Sequence, residues 1–117
     1  MRKIILGLAM AACVATPALA QKVGGSYTVA GTNPDGSKYS GTAQITPSGS
    51  TCRIVWNTGN TSKGICMLAN KAFAAYYRLG NGDGLVVYEV QPDGVLKGYW
   101  TITDEDGAGT ETLTPAN

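Results

Sequence analysis

NPDGSKYSGTAQIT, residues 33–46, returns in altered form as QPDGVLKGYWTIT, residues 91–103. The echo begins upstream, since Tyr27-Thr28-Val29 precedes the first Pro-Asp-Gly and Tyr88-Glu89-Val90 precedes the second. Both copies run on to a glycine, Gly41 or Gly98, and end in Ile-Thr. Proline suits the first central position of a type I turn, and glycine supplies the left-handed residue of the bulge that follows. Each copy therefore reads as a strand, a tight turn and a returning strand. In the first, Tyr27, Val29 and Gly31 share a face with Tyr39, Gly41, Ala43 and Ile45, while Lys38, Ser40, Thr42, Gln44 and Thr46 face the other way. In the second, Val86, Tyr88 and Val90 share a face with Leu96, Gly98, Trp100 and Ile102. That is period-two alternation, the mark of strands with one buried face.

The same grammar fills the rest of the chain. STCRIVWN, residues 50–57, meets KGICMLAN, residues 63–70, through Thr58-Gly59-Asn60, and a symmetric turn on Gly59 sets Cys52 opposite Cys66. Cys52, Ile54 and Trp56 then share a face with Gly64, Cys66 and Leu68. AFAAYYRL, a glycine-rich turn at 80–84 and a closing GTETLT add the remaining strands. No stretch past residue 20 has helical periodicity over a helix's length. The fold expected is all-β: an eight-stranded antiparallel up-and-down β-barrel or a strongly curved meander. Glycines 41 and 98, within strands on the apolar face, fit sharp bends or close packing in such a barrel.

Residues 1–20 read as a signal peptide. Arg2 and Lys3 start it, an apolar run spans Ile4 to Ala15, and Ala18-Leu19-Ala20 supplies an A-x-A cleavage site. The run is shorter than the roughly 20 residues a membrane-spanning helix needs. A lipoprotein signal acylated at Cys13 is the rival, but Met10 is a poor first position for it and the A-x-A site would go unexplained. Cleavage after Ala20 leaves a single domain, residues 21–117, in the periplasm or secreted beyond it. Losing Arg2 and Lys3 takes the basic count from 9 to 7 against 8 acidic residues, a mature charge of −1. Near-neutral charge argues against nucleic acid or an anionic membrane as partner. Export favours a Cys52–Cys66 disulfide, which closes a loop of roughly 15 residues and is worth about 3 kcal/mol in the chain-entropy model.

Candidate chemistry is sparse. The chain has no histidine, which removes the commonest general base and the usual Ser-His and Cys-His pairs. Asp104-Glu105-Asp106-Gly107 suggests calcium, but an EF-hand register from Asp104 puts Ala108 at the fifth position and Pro115 at the twelfth. An acidic solvated turn is the simpler reading, and neither metal nor cofactor is expected. Glu111 is the exception. It alternates in phase with Gly109 and Leu113, so a core-facing Leu113 makes Glu111 core-facing too. A buried carboxylate needs partners. Arg53, Arg78, tyrosine hydroxyls or tryptophan N–H groups could serve, either to hold the barrel together or to ready the acid for a ligand beside Trp56 and Trp100.

The order G-x-Y-x-V-x-G (Gly25 to Gly31), N-P-D-G with Y-x-G after it (Asn33 to Gly41), I-V-W (Ile54 to Trp56), D-G-x-L-x-G-x-W-T (Asp93 to Thr101) and G-T-E-x-L-T-P (Gly109 to Pro115) resembles small exported bacterial proteins labelled fibronectin-binding protein. The likeness covers nearly all of the mature chain. It implies a protein-binding role on a host matrix protein, and it brings no residue-level site. The two cysteines fall outside its pattern. The expected function is thus an exported, non-enzymatic, monomeric protein-binding barrel, adhesin-like or inhibitor-like, with Trp56, Tyr99, Trp100 and Glu111 as candidate binding residues. A calycin-like small-molecule carrier is the alternative. It ranks second because an eight-stranded barrel is just wide enough for its own side chains.

Overall fold

The structure is a computed structural model and describes residues 23–116. The expected signal peptide and its cleavage site lie outside the described residues. Among those described, every regular element is a strand. They are β1 (Gly25–Thr32), β2 (Lys38–Ser48), β3 (Thr51–Asn57), β4 (Thr61–Ala69), β5 (Ala72–Leu79), β6 (Gly82–Val90), β7 (Leu96–Ile102) and β8 (Gly109–Pro115). Each pairs antiparallel with the next, and β8 returns to β1, from Tyr27 opposite Pro115 to Thr32 opposite Thr110. The result is a closed eight-stranded up-and-down barrel. Closure leaves no strand edge unpaired, which removes the usual template for edge-to-edge association.

Both Pro-Asp-Gly segments form the same turn. Gly36 N–H donates to the Asn33 carbonyl at 2.8 Å, and Gly94 N–H donates to the Gln91 carbonyl at 2.9 Å. Gly36 and Gly94 have φ of 91° and 88°, the left-handed values the turn chemistry demands. Asp35 and Asp93 each accept a backbone N–H two residues on, from Ser37 and Val95. The symmetric turn at Gly59 also forms, and it pairs Cys52 with Cys66 as a disulfide with Cα atoms 4.9 Å apart.

Inward and outward positions alternate on all eight strands, and the inward set divides by height. The turns at 33–37, 58–60, 80–81 and 103–108 lie at one end of the barrel, and those at 49–50, 70–71 and 91–95 at the other. Toward the second end the interior is packed solid. Ile45, Ile54, Phe73, Leu96 and Leu113 are fully buried there beside the disulfide and Val90. Toward the first end, Tyr39, Leu79, Trp100 and Ile102 are only partly covered.

That difference corrects the expectation of a filled interior. Gly31, Gly84 and Gly109 face inward and lie opposite Tyr39, Tyr77 and Trp100 respectively. A Cβ at any of the three would run into the ring of its partner. The rings therefore lie back against glycine, as aromatic residues do when they cover glycines of a neighbouring strand. Gly41 and Gly98 differ, for there a Cβ would meet the backbone of Asn57 or Val87. They mark close strand approach, as expected.

Candidate functional site

Where the rings fold back, the barrel holds a cavity of about 470 Å³ that opens at the end carrying the 33–37 turn. Ligand cavities span roughly 300–1,000 Å³, so the volume suits a small organic molecule. Its walls are aromatic. Trp56 and Tyr77 pack with ring centroids 5.2 Å apart, and Tyr39 meets Trp100 edge-on at 6.1 Å. Val86, Leu79 and Ile102 complete the apolar lining.

Glu111 lies at the cavity floor, 6% exposed. Period-two alternation puts it there, in phase with the fully buried Leu113. Its partners are not the arginines: Arg78 pairs with Asp83 at 3.6 Å on the outside. Tyr39 donates its hydroxyl to Oε1 at 2.7 Å, and Trp56 donates its indole N–H to Oε2 at 2.8 Å. The Tyr88 hydroxyl also donates to Oε2. Strands β2, β3, β6 and β8 thus meet at one side chain. A carboxylate offers about four lone-pair sites, so two donors fill Oε2 while Oε1, with one, has room for another.

The carboxylate imprints itself on the tyrosines. Burial first, then the charge of Glu111, pushes the Tyr77 hydroxyl up to about 12. The same two causes, joined by direct hydrogen bonds to Glu111, drive Tyr39 and Tyr88 well above the ordinary tyrosine range. These hydroxyls stay protonated, and Tyr39 and Tyr88 stay donors to Glu111, across the physiological range.

Ser62, directly opposite Trp56 on β4, lines the same cavity and is 8% exposed. Its hydroxyl has no hydrogen-bond partner among the described residues. A buried hydroxyl left unmatched costs free energy unless something satisfies it. At the rim stand Asp35 from the first turn and Glu105 from the 103–108 loop. Hydrogen bonds from Ser37, side chain first and then backbone, hold the Asp35 carboxyl below its usual value. Among the described residues, no lysine or arginine lines the cavity.

Of the four residues expected to bind, the barrel brings Trp56, Trp100 and Glu111 together at this cavity. Tyr99 is placed elsewhere, 69% exposed on the outer face beside Val87. Tyr39, Tyr77 and Ser62 are site residues that the sequence reading did not single out. For Tyr39 and Tyr77 the available signal was the in-phase pairing of an aromatic residue with a glycine across the 33–37 and 80–81 turns; Ser62, opposite Trp56, carried no such signal. The run 104–106 forms an exposed loop, and among the described residues no three ligand-type side chains gather as a metal site.

No family model and no curated protein matches the chain. Solved structures do match in fold. A redesigned β-barrel superposes with a TM-score of 0.73 at 21% identity, covering 84% of this chain and 95% of that one. The redesigned barrel mFAP1, solved bound to DFHBI, gives 0.70 at 24% identity, with 82% and 97% covered. A fatty acid transporter, REP1-NXSQ, gives 0.54 at 15% identity, with 80% and 96% covered. At such identities the likeness is one of architecture, and the architecture is that of small barrels.

Proposed function

We propose that the protein is a small-molecule-binding barrel whose ligand enters the aromatic cavity from the 33–37 end. The observation that carries this reading is the polar lining of the cavity. A buried carboxylate with an acceptor position to spare and a buried serine hydroxyl without a partner lie among apolar rings, the pattern of an orienting site in an apolar pocket. The order of preference drawn from the sequence is reversed, because it rested on an interior filled by side chains. The barrel mFAP1, which holds DFHBI, supports the capacity of this architecture for a small guest. Export to an oxidising compartment belongs to the same proposal, supported by the Cys52–Cys66 disulfide.

Both tryptophans of the chain line the cavity, so their fluorescence reports on it directly. Native mass spectrometry of gently purified protein should reveal a bound organic molecule, and its removal should alter tryptophan emission. Ligand-free protein whose emission ignores a broad set of small aromatic compounds would end the proposal.

A second reading has its own observation. Ile65, Met67, Leu85, Val87 and Tyr99 are exposed on the outer face, where Ile65–Tyr76–Leu85 and Met67–Ala74–Val87–Tyr99 run as two cross-strand rows over β4 to β7. An apolar patch on an otherwise polar barrel is a place for a protein partner, the matrix protein of the sequence resemblance included. Val87→Glu should abolish capture of such a partner and leave the cavity untouched.

A further inference from the structure

The charge of the cavity narrows what it can hold. A fatty acid presents a carboxylate, and barrels that seat one need a cation or neutral donors to receive it. Here the floor is Glu111 and the rim carries Asp35 and Glu105, with no lysine or arginine among the lining residues. Apart from the Ser62 hydroxyl, a single neutral donor, the donors around Glu111 are already committed. Tyr39 and Trp56 spend their O–H and N–H on Glu111, and Tyr77 donates to the Thr101 carbonyl at 3.1 Å. An anion would meet repulsion at both ends of the cavity and find no free positive group between.

We propose that the ligand is a compact organic cation with an aromatic or apolar body and an N–H donor, bound with its nitrogen toward Glu111 Oε1 and Ser62 and its body among the rings of Trp56, Tyr77 and Trp100. The inference rests on the small-molecule reading above and specifies its chemistry. Three features converge on it. The vacant lone pair of Oε1 accepts one donor, and a charged donor makes the stronger bond. The Ser62 hydroxyl, in the wall of the same cavity, can accept or donate a second hydrogen bond. The ring faces attract a cation through their quadrupoles, most strongly where water is excluded.

Three tricyclic probes of one shape separate the possibilities: aminoacridine, a planar cation at neutral pH with N–H donors; acridine, neutral; and anthracene carboxylate, an anion. Binding is read by quenching of the cavity tryptophans in the mature protein. The cation should bind roughly tenfold or more tighter than acridine, and the anion should not register. In Glu111→Gln that preference should collapse toward parity. Equal or tighter binding of acridine or of the anion would overturn the cationic assignment and leave the small-molecule reading standing. Failure of all three to quench would overturn both. Preference for the cation persisting undiminished in Glu111→Gln would overturn the role of the floor carboxylate. The wild-type ranking decides the charge class even if that variant proves too unstable to study.

Discussion

The ring of Tyr77 lies over Gly84, its direct partner across β5 and β6, and in that position it packs against Trp56. The absence of one methyl group thus sets the position of one cavity wall. Gly84→Ala should push the Tyr77 ring toward the cavity, at an overpacking cost of about 1–3 kcal/mol. Urea denaturation would measure the loss, and Trp56 emission should shift as its neighbour moves. Unchanged stability and emission would show that the ring is free to swing elsewhere.

Glu111→Gln should fold. The amide can place its oxygen where Oε2 stands, to keep both the Trp56 and Tyr88 donors, and turn its NH2 toward Tyr39, whose hydroxyl can rotate to accept. What disappears is the charge in three hydrogen bonds, and the expected cost is about 1–3 kcal/mol. Chemical denaturation measures it. A larger loss, or an unfolded variant, would mean that the amide cannot adopt that orientation.

Replacing Cys52 and Cys66 together by serine should lower stability by about 3 kcal/mol while the β spectrum persists. The bridge joins β3 and β4 near the packed end, away from the cavity mouth. Quenching of the tryptophans by a bound probe should therefore survive under conditions where the variant remains folded. Loss of probe binding in a folded variant would show that the two ends are coupled.

The tyrosines predict a sensitivity to alkali. Tyr39, Tyr77 and Tyr88 hold their protons in the native barrel beyond the value of about 10 at which an unfolded tyrosine releases its own. Above that pH the unfolded chain binds fewer protons than the native one, so stability falls as pH rises. The loss should begin near pH 10 and continue through about 12, the value for Tyr77. Melting temperatures across this window, with tyrosinate absorbance followed in parallel, should show late ionisation that coincides with unfolding. Early, complete ionisation of a still-folded barrel would contradict it.

The architecture was legible because its determinants are local. Pro34-Asp35-Gly36 and Pro92-Asp93-Gly94 each specify a turn from their own φ requirements, and alternation from Leu113 suffices to turn Glu111 inward. The symmetric turn about Gly59 even fixed the register of Cys52 and Cys66. The cavity was not legible, because alternation gives a side chain's face and not its height along the barrel. Tyr39, Trp56 and Tyr88 converge on Glu111 only once the stagger of eight strands is set. Inward glycines were equally ambiguous: Gly98 abuts backbone whereas Gly84 seats a ring, and the residues flanking them do not tell the two apart.

The paired Pro-Asp-Gly turns have a further consequence, which follows from parity. They are the first and sixth of seven chain reversals, and alternate reversals fall at alternate ends, so one turn stands at the mouth and its twin at the opposite pole. A duplicated hairpin here does not duplicate a doorway. The Gln91–Val95 turn is consequently a natural handle: a dye, a surface tether or a fused domain attached there would present the cavity outward, with its entrance unobstructed.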